Sequence, residues 1–223
     1  MKITKYAQSC GLVETIQGKR ILVDPGIIQY EEKLLSEDWI NIDVILVTHK
    51  HSDHCNVEAI NKIIERDGAK LYTIKEVYDF FSDLIKGEIV KENDIINLGD
   101  EIKIEVVKAV HGWVSVFKGN NKFPEENVGY IIDDNDKRVY FTSDTLAFDN
   151  DYKCDVIFLP VCGHVTMDSW TAAGFAKMVG AEYVYPVHGE NPIHHIDWER
   201  LDKDFKEVGI EYKKLEIGKN VEI

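Results

Sequence analysis

The sequence predicts an α/β protein in which two β-sheets are covered by helices, an αββα sandwich. Three observations carry this expectation. The chain opens on short apolar runs separated by turn residues, the pattern of a β-meander. Strand-like runs then alternate with helical patterns in both halves. The residues with the strongest chemical character fall directly after strand-like runs, where loops over a sheet edge place functional groups.

Lys2–Tyr6, Gly11–Ile16 and Arg20–Asp24 read as the meander, closed by the turn formers Asp24-Pro25-Gly26. Asp43–Val47 is short and rich in β-branched residues, so it reads as a buried strand rather than a helix. Asn56 opens a helical pattern with Val57, Ile60, Ile63 and Ile64 on one face, stopped by Gly68. Ala69–Ile74 is the next strand, followed by a helix near Val77–Ile85. In the second half, strands are expected at Ile102–Val110, Val128–Asp133, Arg138–Thr142, Val156–Pro160 and Glu182–Pro186. Helices are expected over Ser169–Val179 and near Trp198–Val208, and a final strand pair through Leu215–Ile223. Nothing resembles a linker or a repeat, so one domain over residues 1–223 is expected.

Composition narrows the functional classes. The chain is 44% hydrophobic and 30% charged, ordinary for a globular protein, with no apolar run long enough to cross a bilayer. Its N-terminus lacks the continuous apolar segment of a secretory signal. Cys10, Cys55, Cys154 and Cys162 are scattered without a CxxC pair, as suits reduced thiols. A cytoplasmic protein is therefore expected. With 26 basic against 40 acidic residues the net charge is −14, which opposes general binding to nucleic acid. A small anionic substrate is not excluded, because divalent cations in a cleft reverse the local sign. The expected partner is a small-molecule substrate, with no nucleic acid and no membrane; homo-oligomer formation is left open.

The most informative stretch is Thr48-His49-Lys50-His51-Ser52-Asp53-His54-Cys55-Asn56, which holds three of the chain's eight histidines. If the chain stays extended past Val47, His49 and His51 project to the same side. Asp53 and His54 follow on the turn into the helix and can approach from another direction. Imidazole suits zinc, iron or manganese, and a carboxylate adds harder oxygen character. By residue frequencies, His-x-His-x-Asp-His arises by chance in about one such chain in a thousand. Further candidate ligands end other apolar runs: His111 after Val106–Val110, Asp144 after Arg138–Thr142, and His188 after Glu182–Val187. Taken together they read as one site.

The order of these motifs resembles the metallo-β-lactamase superfamily. The nearest likeness is its branch of small metal-dependent hydrolases that includes ascorbate-6-phosphate lactonase. The resemblance runs through TKYAQSCGLVETIQGKRILVDPG, VILVTHKHSDH, AVHG, YFTSDT, FLPVCGHVTMD and VYPVHGEN, nearly the whole chain. It implies one metal held by His49, His51 and His111, a second held by Asp53, His54 and His188, and Asp144 bridging both. It implies two divalent ions, zinc first, with manganese or iron as alternatives. It also implies hydrolysis of a small ester, lactone or phosphoester by a hydroxide formed between the ions, with Asp53 and Asp144 orienting the reaction. His51 stands where the oxygen-reducing diiron relatives generally carry Glu, which favours hydrolysis over redox chemistry. The alternative is a non-catalytic metal-binding or sensing protein on the same fold.

Residues around this set carry further expectations. Asp24 is a turn former and a candidate hydrogen-bond partner for the metal loop. His164 is a candidate proton donor to a leaving group; His194 and His195 are weaker candidates. Cys55 and Cys162 read as small buried residues. The long segment His111–Asn127 carries Trp113, Phe117 and Phe123 and is expected to wall the substrate site. Relatives in the branch often carry His where this chain has Gln8, a group that cannot titrate near neutral pH.

Overall fold

The computed structural model describes residues 1–27, 37–81, 84–99, 101–191 and 194–223. The first sheet contains β1 (Lys2–Lys5), β2 (Gly11–Glu14), β3 (Arg20–Val23), β4 (Val44–Val47), β5 (Lys70–Thr73), β6 (Glu88–Ile89) and β13 (Asn220–Glu222), in the order β13-β1-β2-β3-β4-β5-β6. The second contains β7 (Ile95–Gly99), β8 (Ile102–Lys108), β9 (Val128–Asp133), β10 (Arg138–Phe141), β11 (Val156–Pro160) and β12 (Tyr183–Val187), in the order β12-β11-β10-β9-β8-β7. Both sheets are mixed. β1 to β3 are antiparallel and β3 to β6 parallel; β7 to β10 are antiparallel and β10 to β12 parallel.

Side-chain alternation decides which face of the second sheet meets which layer. On β11, Val156 and Phe158 join the core shared with the first sheet, while Ile157 and Leu159 join a second core. On β9, Tyr130 and Ile132 face the first core and Ile131 the second. That second core is completed by α3 (Ser169–Val179) and α4 (Trp198–Val208), through Ala172, Phe175, Ala176, Leu201 and Phe205. Burial of a side chain such as Leu201 or Phe205 stabilises the layer by about 1.5–3 kcal/mol. On the first sheet's side, α1 (Val57–Asp67) contributes Ala59, Ile60 and Ile63, and α2 (Lys75–Phe80) contributes Val77. The result is the αββα arrangement expected.

Local signals fix the helix ends. Asn56 Oδ1 accepts the Ala59 N–H and Gly68 closes α1 in the left-handed conformation. Asp168 and Gly180 do the same for α3, and Asp197 and Gly209 for α4. Among the described residues no helix is long and apolar enough to cross a membrane.

Three local expectations differ from the structure. The C-terminal strand pair is a single strand, β13, on the edge beside β1. Gly218 turns the chain just before it (φ +75°), and the preceding segment is held by scattered backbone bonds, such as Lys213 N–H to Val184 O, rather than a ladder. Helix α2 begins at Lys75 and ends at Phe80; positions 82–83 of the expected span lie outside the described residues. Strands β6 and β7 were not foreseen: β6 has two exposed residues, and β7 buries only Ile96 fully.

Candidate metal centre

The candidate ligands gather at one edge of the sandwich, on loops that leave the C-terminal ends of strands. β4 delivers Thr48–Asn56, β8 leads to His111, β10 to Asp144, and β12 directly to His188. Several of these exits are backbone bends that non-glycine residues seldom adopt. Asp24 (φ +49°), Ser143 (+63°) and His188 (+65°) are all left-handed, as is Gln8 (+54°). Such conformations persist where surrounding contacts over-determine them, and they concentrate at functional sites. The Asp24-Pro25-Gly26 turn packs directly on the His-rich loop: a Cβ at position 26 would overlap the Asp53 carbonyl group. Asn56 N–H donates to Pro25 O (3.0 Å) and Ile27 N–H to Ser52 O (2.7 Å).

His49, His51, His111 and Asp144 offer ligand atoms that all lie within 4.8 Å of one another, and so do Asp53, His54 and His188. Asp144 joins the two groups. Its Oδ2 is 3.0 Å from His188 Nε2 and 3.9 Å from His111 Nε2, while Oδ1 is 3.4 Å from His54 Nε2. Asp53 Oδ2 is 3.6 Å from His188 Nε2 and 4.0 Å from His54 Nε2. All seven residues singled out as metal ligands in the sequence are thus brought together. His164 belongs to neither group: its ring stacks on His194 at 3.5 Å and 11°.

Each imidazole turns one nitrogen inward and ties the other to the protein. His54 Nδ1 lies 2.7 Å from Asp24 Oδ2, His111 Nδ1 2.7 Å from Gly112 O, His51 Nε2 2.7 Å from Lys122 O, and His188 Nδ1 3.2 Å from Cys162 Sγ. A carbonyl or carboxylate only accepts, so the proton sits on the outward nitrogen of His51, His54 and His111. His49 follows by elimination. Thr48 Oγ1 commits its proton to Asp24 Oδ2 (2.8 Å) and Ser143 Oγ to Asn127 Oδ1 (2.7 Å). Both hydroxyls therefore accept from His49 Nδ1, at 3.1 and 3.3 Å. Asn127 is itself oriented by its Nδ2–H to Asp144 O (2.8 Å). In the neutral form of the His49, His51, His54 and His111 rings, the inward nitrogen therefore carries the lone pair, the form a metal requires.

The buried charge supports the same conclusion. Asp144, His49 and His54 are 0–1% exposed. Burying an unpaired charged group costs several kcal/mol, a cost that a cation among these carboxylates would offset. Among the described residues, His54 Nε2, His111 Nε2 and Asp144 Oδ1 are buried without a hydrogen-bond partner beyond the 3.4 Å approach of His54 Nε2 to Asp144 Oδ1, and all three belong to the centre. Native proteins rarely leave such atoms unmatched. The donor set of imidazole and carboxylate fits a divalent first-row ion.

In the protein without ions, the two groups titrate differently. Burial pushes His49 well below the ordinary imidazole range, lowers His51, and takes His111 to about 4. Burial also presses down on His54 and His188, but neighbouring carboxylates, Asp144 first, outweigh it and raise both well above that range. Conversely, burial would lift Asp144 and Asp53, and the imidazoles of His188 and His54 hold both below the usual carboxylate range.

The surroundings correct one expectation and extend others. Cys162 is not a buried filler: it is partly exposed at the edge of the centre, where its sulfur faces His188 Nδ1. Cys55 is buried. Asp24 serves both as turn former and as partner of the metal loop, since Oδ1 also accepts the Thr48 N–H (2.8 Å). Thr48, Ser143, Asn127 and Glu190 were not singled out by the sequence. Thr48 and Ser143 adjoin ligand residues, a signal that could have found them; Asn127 carries none.

Residues 2–188 match a family model described as a beta-lactamase superfamily domain. The chain belongs to the metallo-β-lactamase superfamily. Within this superfamily it is 29% identical to a metal-dependent hydrolase of Methanopyrus kandleri over the full length of both chains. It is 30% identical to a metal-dependent hydrolase of Caldivirga maquilingensis, covering 78% of this chain and 75% of that one. The structure superposes on Igni18, a metallo hydrolase of the hyperthermophilic archaeon Ignicoccus hospitalis, with a TM-score of 0.78 and 25% identity. That alignment covers 99% of this chain and 97% of the other.

Proposed function

We propose that this member of the metallo-β-lactamase superfamily is a metal-dependent hydrolase that cleaves a small ester, lactone or phosphoester. The observation that carries the reading is the set of imidazole nitrogens turned inward around Asp144, with His51, His54 and His111 each held on the other nitrogen by a partner that only accepts. His49, His51 and His111 would hold one cation, Asp53, His54 and His188 a second, and Asp144 would touch both. Zinc, manganese and iron all suit these donors. A divalent pair supplies water of lowered pKa and a Lewis acid for the carbonyl or phosphoryl oxygen.

The chain's own residues supply orientation and shape. Asp53, held as a carboxylate by the imidazoles of His54 and His188, can accept a hydrogen bond from water at the centre and orient it. His164 would protonate the departing oxygen, from a ring that stacks on His194. The segment 111–127 lies against the ligands: the Phe117 ring is 6.0 Å from His51 and 6.1 Å from His111, and Phe123 is 6.0 Å from His111. These rings form an apolar wall for one side of the substrate. The acidic balance of the chain suits a small molecule rather than nucleic acid.

The test joins metal analysis to turnover. Purified protein should carry stoichiometric divalent metal and hydrolyse members of a panel of aryl esters, lactones and phosphodiesters. Chelation should remove both metal and activity, and added metal should restore them. Stoichiometric metal without turnover on that panel would turn the assignment to a binding or sensing protein.

A further inference from the structure

We propose that Gln8 is a positioning residue for the Asp53–His54–His188 half of the centre, a role that rests on that half holding a cation. Gln8 sits at the bend between β1 and β2, is 1% exposed, and is held in the left-handed conformation. All four of its polar atoms reach across the fold. Its backbone N–H donates to Glu190 Oε2 (2.8 Å), and its carbonyl accepts the His188 N–H (3.4 Å). Its side-chain Oε1 accepts the Glu190 N–H (3.1 Å), and Nε2 donates to Asp53 Oδ2 (3.1 Å).

The amide orientation follows from this network. A backbone N–H can only donate, so the oxygen end of the amide must face Glu190 and the NH2 end must face Asp53. The carboxylate oxygen it holds, Asp53 Oδ2, is the one that faces His188 and His54. Glu190 is fixed in turn: Oε1 pairs with the buried Lys5 Nζ (2.5 Å), and Oε2 also accepts the Gly189 N–H (3.3 Å). One neutral side chain therefore sets the spacing between Asp53, carried by the first sheet, and His188, carried by the second. Among the described residues, Gln8 makes no hydrogen bond to His49, His51 or His111. The outward nitrogens of His49, His51 and His111 end on Thr48, Ser143, Lys122 and Gly112.

A general loosening of the fold would act on both halves alike; a positioning role acts on one. Metal-free protein should be titrated with Co(II) alone and followed by visible absorption and calorimetry. Wild type should take up two equivalents. Gln8→Met keeps the length of the side chain but neither donates nor accepts. It should leave the first equivalent unchanged and weaken the second by about 10–100-fold, the usual effect of losing a ligand's hydrogen-bond partner. Gln8→His offers a ring donor and a ring acceptor and should restore most of the second affinity. Should Gln8→Met not fold, Gln8→Asn tolerates the left-handed backbone but is too short to reach Asp53, so it should show the same loss. Equal weakening of both equivalents, or wild-type affinity for the second in the folding variant, overturns the proposal. A wild-type protein that takes up no Co(II) overturns the metal centre itself, a distinct result.

Discussion

Asp24 Oδ2 lies 2.7 Å from His54 Nδ1, with the two side chains 1% and 0% exposed. The carboxylate fixes the imidazole proton on the outer nitrogen and leaves Nε2 aimed at Asp144. Burial alone pushes the Asp24 carboxyl up; the charge of His54 and the hydrogen bonds from His54 and Thr48 pull against it. Asp24→Asn keeps the shape and tolerates the left-handed backbone but removes the charge. The variant should fold, and its affinity for metal at the Asp53–His54–His188 half should fall about 10–100-fold. Calorimetric metal titration reads this directly; unchanged affinity would remove Asp24 from the support of the centre.

Asp144 touches His54 through one oxygen and His188 and His111 through the other. An amide cannot present two anionic oxygens to two cations. Asp144→Asn should therefore lose at least about 100-fold in kcat/KM and retain less metal after dialysis. Full activity in that variant would rule out a bridging carboxylate.

Acidification should empty the two halves in sequence. In the ion-free protein burial keeps His49, His51 and His111 neutral, His111 down to about 4, whereas carboxylates keep His54 and His188 protonated to higher pH. Protons compete with cations only where they bind. The sign follows. The raised pair stabilises the ion-free fold fully below the ordinary imidazole pKa and loses that contribution as pH rises through its raised values. Metal uptake at that half therefore releases protons and tightens with rising pH. Equilibrium dialysis from about pH 8 to about pH 5 should show the first metal lost from the Asp53–His54–His188 half. Simultaneous loss from both halves would contradict the asymmetry.

The sequence made most of this centre legible because its ligands follow strands whose apolar runs are unambiguous. Val44–Val47 and Tyr183–Val187 end in His49 and His188 with little room for another reading. Capping residues made one helix equally plain: Asn56 and Gly68 bound Val57–Asp67 as expected. Strand β6 was illegible because two exposed residues carry no periodicity, and of the pair expected through Leu215–Ile223 the structure forms β13, an edge strand after the Gly218 turn. The supporting partners were harder still. Lys122 holds His51 through its backbone carbonyl, which every residue type possesses. Gln8 and Glu190 meet across 182 positions, a distance no local pattern spans.

The aromatic wall should govern binding without touching the metal. Phe117 sits in a short 3-10 turn, Ser115–Phe117, with its ring 5.7 Å from Phe123 and close to the His51 and His111 rings. Neighbouring Trp113 and Val116 are 58% and 71% exposed, so the segment offers apolar surface at the edge of the centre. Phe117→Ala removes part of this surface from a loop, where the stability loss should stay near about 1 kcal/mol. A lost apolar contact that was made equally in both states weakens ground-state and transition-state binding to the same extent and leaves kcat unchanged. KM for aryl or long-chain acyl substrates should therefore rise about 10-fold, with kcat within a few-fold and metal content unchanged. The rise should vanish for the smallest acetyl substrates, which do not reach the ring. A panel in which KM stays constant for every substrate would place the substrate on the other side of the centre, toward His164 and His194.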